Sequence, residues 1–100
     1  MRHNVLIVDD EQLIRQGLRA RIEYLGIDVD EIFEADNGLM ALGIQDEHPI
    51  DLVITDIRMP DMDGLELIQE MQKKNNQIKF IVLSGYAEFS YACLLYTSPS

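Results

Sequence analysis

Three short, almost wholly apolar runs, separated by segments of helical period, constrain this chain more than any other feature. The runs are Asn4-Val5-Leu6-Ile7-Val8, Leu52-Val53-Ile54-Thr55 and Phe80-Ile81-Val82-Leu83. Continuously apolar, β-branched runs of this length are strands of a parallel sheet with both faces covered by helices. Between the first two, Ile14, Leu18, Ile22 and Leu25 recur at spacings of four and three, predicting an amphipathic helix that closes at Gly26. Glu31-Ile32-Phe33-Glu34-Ala35 alternates as a half-buried strand would, and Asp36-Asn37-Gly38 is a turn. Residues 39–45 then form a short helix expected to turn Leu39, Leu42 and Ile44 inward. Asp63 with Glu66 three residues on is a capping box. It opens a helix expected to bury Leu67, Ile68 and Met71 and to end in Lys73-Lys74, charges suited to a helix C-terminus. Strand and helix alternating at this density give an α/β fold, a doubly wound parallel sheet.

The length of 100 residues allows one small domain. Eight basic against 18 acidic residues leave a net charge of −10, which repels phosphate backbones and anionic lipid. Nucleic-acid binding by this segment is thereby disfavoured. The single Cys93 has no intrachain partner, which fits a reducing, cytoplasmic setting. The run ending at Val8 is too short for a signal-peptide core or a membrane span.

In an open α/β sheet, ligands bind beyond the carboxyl ends of the strands. Those ends carry Asp9 and Asp10 after the first apolar run, Asp56 after the second and Ser84 after the third. Three carboxylates on one edge oppose each other's ionisation, and a hard divalent cation such as Mg²⁺ relieves that repulsion. The residues thus point to a Mg²⁺-dependent phosphate or phosphoryl site. A plainer role exists for one of them, since Asp10 alone would serve as a helix N-cap. Caps do not account for three acids on two strands. Ser84-Gly85 is also ordinary turn chemistry, and Pro60 stiffens a loop. His3 and His48 lack partners at metal-ligand spacing and read as surface residues. Met40, Met59, Met62 and Met71 read as packing or loop residues.

Three segments carry a family resemblance: Val8-Asp9-Asp10-Glu11, the stretch from Thr55-Asp56-Ile57-Arg58-Met59-Pro60 to Asp61-Met62-Asp63-Gly64, and Val82-Leu83-Ser84-Gly85-Tyr86. In order and spacing the chain resembles the receiver domain of two-component response regulators over residues 3–92. Its Asp10–Arg15 and Ser84–Ala92 segments are similar to the subgroup joined to an AraC-type DNA-binding domain. The resemblance implies a flavodoxin-like sheet in the order 2-1-3-4-5. It implies Asp56 as the acceptor of a phosphoryl group from a sensor histidine kinase. It further implies Asp10 as a direct Mg²⁺ ligand, Asp9 as one acting through water, the Arg58 backbone carbonyl as a third, and Ser84 as the switch hydroxyl. DNA would be reached only through a separate output domain, and dimerisation would belong to the longer protein.

Beyond Ala92 the resemblance stops. The family's Lys-Pro, fifth strand and fifth helix have no counterpart, and residues 93–100 read as a non-native or frame-shifted tail. Such an ending would leave the fourth strand at an open edge and uncover apolar surface near Ile14, Leu18 and Ile22. Two other readings are weaker. A phosphohydrolase of the haloacid-dehalogenase type wants Asp-x-Asp after its first strand, against Asp9-Asp10-Glu11 here. Asp61, Asp63, Gly64 and Glu70 fit four positions of an EF-hand loop, but Met59 stands where the first ligand should be.

Overall fold

A computed structural model describes residues 3–25, 28–57 and 62–83. Four strands and three helices alternate: β1 (His3–Val8), α1 (Gln12–Leu25), β2 (Val29–Ala35), α2 (Gly38–Glu47), β3 (Leu52–Asp56), α3 (Gly64–Lys74) and β4 (Lys79–Leu83). All strand pairs are parallel, in the order β2-β1-β3-β4. The expected 2-1-3-4 arrangement is therefore the observed one. Expectations on Arg58, Met59, Pro60, Asp61, Ser84 and the tail of residues 93–100 fall outside the described residues.

Strand alternation divides the core in two. Val5 and Ile7 of β1 and Ile54 of β3 face α1, where Ile22 is buried with Leu18 beside it. Leu6, Val8, Val53, Phe80 and Val82 face the other way, onto Ala41 of α2 and Leu67, Ile68 and Met71 of α3. Helices on both faces explain why the three runs are apolar at every position. β4 lies at one edge of this sheet.

The capping box forms as the sequence indicates. Glu66 N–H donates to Asp63 at 2.8 Å, and the Glu66 side chain accepts from Asp63 N–H. Asp63, one of the four positions that fit an EF-hand loop, is thereby used as a helix cap. α2 is capped likewise by Asn37, whose side chain accepts from Met40 N–H at 2.8 Å. Both histidines are exposed, His48 with its ring 4.5 Å from that of Phe33.

Two helix faces correct the sequence reading. Leu39 is 66% exposed, while Gly38 and Ala41 are buried. Small residues are what α2 turns inward, and Leu42 and Ile44 pack at its flank. Along α1 the stripe is buried only at Ile22; Leu18 is half-buried, and Ile14 and Leu25 are exposed.

Candidate metal and phosphoryl site

β1 and β3 are the central strands, and the chain leaves them in opposite directions, toward β2 and toward β4. Such a switch point opens a crevice at the carboxyl edge of the sheet. Register then sets the acids. Val8 pairs with Thr55, so the next step along each strand puts Asp9 beside Asp56. Asp10 follows on the turn into α1. One carboxylate oxygen from each of Asp9, Asp10 and Asp56 lies within 4.8 Å of the others. Asp9 is buried, Asp56 half-buried and Asp10 exposed, so the cluster runs from the sheet edge out to solvent.

The local hydrogen bonds explain the placement. Asp9 N–H donates to the Ala35 carbonyl at 3.1 Å, continuing the sheet one residue past β1. Its Oδ1 accepts from Glu11 N–H at 2.8 Å, closing the turn that launches α1. That bond is local to the turn ahead of α1, and Asp10 stands exposed beside it, within reach of the other two acids. At β3, Ile57 N–H donates to the Leu83 carbonyl at 3.1 Å, and Gly64 N–H donates to the Ile57 carbonyl at 2.8 Å. A Cβ on Gly64 would sit 2.3 Å from the Asp56 carbonyl oxygen, so only glycine lets α3 start this close to the acid.

The electrostatics carry the mark of crowded acids. Burial, the largest cause, pushes the Asp9 carboxyl up from 3.8 to about 6. The Glu11 N–H pulls it back, while the charges of Asp56 and Asp10 and a hydrogen bond with Asp10 raise it further. The folded chain therefore holds a proton there that the unfolded chain has released, and stability falls as pH rises from about 4 through about 6. Because the neighbouring carboxylates meet solvent, we expect a loss on the order of 1–2 kcal/mol between pH 4.5 and 7, less than the full shift implies. Urea unfolding in chelator at several pH values measures it. Asp9→Asn, which keeps the acceptor for Glu11, should flatten the profile in that window. A slope equal to that of wild type would contradict the assignment.

A second charged group, unassigned by the sequence, adjoins the turn. Glu34 of β2 accepts from Arg15 Nε at 3.1 Å and from Arg19 Nε at 2.8 Å. Arg19, chiefly, and Arg15 hold its carboxyl below the ordinary value against a smaller effect of burial. The Arg15 guanidinium also donates to the Asp9 carbonyl. The available signal was the four-residue spacing of Arg15 and Arg19 on one helix face.

Comparison with known proteins agrees with this geometry. The response regulator receiver domain family matches residues 5–96. The chain is 40% identical over 90 residues to the uncharacterized transcriptional regulatory protein YesN of Bacillus subtilis, covering 90% of this chain and 24% of that protein. It is 38% identical to the transcriptional regulatory protein HptR of Staphylococcus aureus, covering 87% of this chain and 34% of that protein. Among solved structures, a two component transcriptional regulator AraC from Clostridium phytofermentans superposes with a TM-score of 0.80 at 42% identity. That match covers 89% of this chain and 72% of the other. The chain spans about a quarter to a third of the length of the curated relatives it matches. Among the described residues no helix is long and apolar enough to cross a membrane. Sequence, sheet order and acidic crevice agree: the chain belongs to the response regulator receiver domain family, the phosphoacceptor modules of two-component signalling.

Proposed function

We propose that Asp56 accepts a phosphoryl group from a phosphohistidine of a sensor histidine kinase, with Mg²⁺ held by Asp9, Asp10 and Asp56. The observation that carries this reading is the convergence of the three carboxylates within 4.8 Å at the switch point. Hard oxygen donors clustered at the mouth of a crevice suit Mg²⁺, which keeps several waters and takes one or two carboxylates with a phosphate oxygen. Bound there, the ion would neutralise charge on the phosphoryl oxygens and on the acids themselves.

The chain's own residues divide the remaining work. Asp56 ends a central strand, half-buried, where its backbone pairs with Leu83 of β4 and follows directly on the Thr55–Val8 pair. One of its carboxylate oxygens forms the new P–O bond as the P–N bond to histidine breaks, and the electron pair leaves on the imidazole nitrogen. Asp9, buried and tied to Glu11 N–H, is poorly placed to attack and serves to hold charge. Asp10, exposed, would offer the ion a carboxylate open to solvent. The Arg58 carbonyl and the Ser84 hydroxyl complete the proposed site, by family resemblance. Phosphorylation would signal to a DNA-binding output domain of the kind that the longer regulators' names imply, in the cytoplasm.

Calorimetric Mg²⁺ titration tests the metal half of this reading. Asp10→Asn should weaken Mg²⁺ binding about tenfold or more, because a charged ligand open to the ion is lost. Asp9→Asn, whose ligating role passes through water, should weaken it less. Equal affinities for wild type and Asp10→Asn would overturn the ligand set. Turnover of a generic phosphomonoester would instead favour a phosphohydrolase.

A further inference from the structure

We propose that Arg15 is a positioning residue for the acidic turn: it fixes the peptide unit joining Asp9 to Asp10, and Glu34 holds it in place to do so. The Arg15 side chain is only 14% exposed, between α1 and β2. One of its nitrogens donates to the Asp9 carbonyl, and its Nε donates to Glu34 Oε1 at 3.1 Å. A planar guanidinium can meet two acceptors in a fixed relation, which an ammonium cannot. The Asp9 carbonyl belongs to the peptide that links the two acids, so anchoring it limits how Asp10 swings relative to Asp9. Glu34 also supplies the counter-charge. With its carboxylate shared between Arg15 and Arg19, the Arg15 cation is offset at short range, and its cost to cation binding at the crevice is reduced. Arg19 makes a similar set of bonds, to Glu34 at 2.8 Å and to the Ile32 carbonyl at 2.9 Å. It has no bond to the turn among those of the described residues, so it is a matched control.

Charge and position predict opposite signs. Removing a cation near three carboxylates should tighten Mg²⁺ binding, whereas releasing the Asp9–Asp10 peptide should loosen it. Residues that orient metal ligands typically contribute a factor of about 10–100 to affinity. The proposal rests on the metal reading above, so the test has two readouts on the full 100-residue chain. The first is Mg²⁺ affinity by calorimetry. The second is amide exchange protection of Glu11, whose N–H closes the turn on Asp9, measured in chelator. Arg15→Met is expected to weaken Mg²⁺ binding about tenfold and to lower Glu11 protection. Arg19→Met should leave affinity within about twofold and protection unchanged at a similar melting temperature. If Arg15→Met does not fold, Arg15→Lys read against Arg19→Lys gives the same contrast on a smaller scale, since lysine retains one bond. Equal losses in the two arginine variants would reduce Arg15 to a strut between α1 and β2 and overturn the proposal. Unchanged or tighter Mg²⁺ binding in Arg15→Met would overturn it as well. A wild type that binds no Mg²⁺, with Glu11 protection still lost in Arg15→Met, would sink the metal reading and leave the positioning role standing.

Discussion

Asp56→Asn is expected to abolish phosphoryl incorporation from acetyl phosphate or from a phosphorylated sensor kinase in the presence of Mg²⁺. The amide has no carboxylate oxygen to form the acyl phosphate, so the loss should be complete rather than graded. The fold should survive. Asparagine matches aspartate in size, the position is half-buried at the sheet edge, and one of the charges that crowd Asp9 is removed. Unfolding measurements should therefore show stability equal to or above wild type, which separates chemical loss from structural loss. Asp9→Asn gives the contrast, because it weakens charge neutralisation while leaving the nucleophile in place, and it should slow labelling without ending it. Labelling that persists in Asp56→Asn and disappears in Asp9→Asn would transfer the nucleophile to Asp9.

Much of this architecture is legible in the sequence, for identifiable reasons. The continuous apolar runs reveal β1, β3 and β4 because burial on both faces demands apolar residues at every position. The three acids are legible because a sheet with its strands parallel puts all strand ends on one edge. What fails is the reading of helix faces where size and burial diverge. In α2 nearly every residue from Gly38 to Ile44 is apolar, so periodicity does not select a face, and Leu39 reads as inward-facing as Leu42. The structure instead turns Gly38 and Ala41 inward, which lets α2 approach Met62 and the sheet closely. In α1 the stripe from Ile14 to Leu25 meets the sheet only at Leu18 and Ile22, while both its ends stay exposed. The start of β2 is also missed: Val29 pairs with His3 across an irregularity in register that no local pattern reports. The Arg15–Glu34–Arg19 cluster is a contact between elements 15 or more residues apart, and pairing of that kind cannot be read from either element alone.

Gly64→Ala is expected to lower stability by about 2–3 kcal/mol and to disturb the phosphoryl site, because the added methyl meets backbone that cannot yield. Its Cβ would lie 2.3 Å from the Asp56 carbonyl oxygen and 3.1 Å from both the Asp56 carbonyl carbon and the Ile57 Cα. None of these atoms ends a flexible side chain. The clash can be relieved by moving α3 outward or by shifting the end of β3. The first strains the 2.8 Å bond from Gly64 N–H to the Ile57 carbonyl and uncovers Leu67 and Ile68. The second displaces Asp56 from Asp9 and Asp10. Either way Mg²⁺ affinity and the rate of labelling should fall together with the melting temperature, by about 10 °C for a domain of this size. Gly43→Ala supplies the control within the same fold. Gly43 is exposed on α2, nothing lies within 4 Å of its added Cβ, and alanine there should raise stability by about 0.5–1 kcal/mol through helix propensity alone. The two substitutions are chemically identical and are expected to have opposite signs. Were Gly64→Ala to match Gly43→Ala in melting temperature and in labelling rate, the close approach of α3 to the Asp56 backbone would not be what holds the acceptor in place.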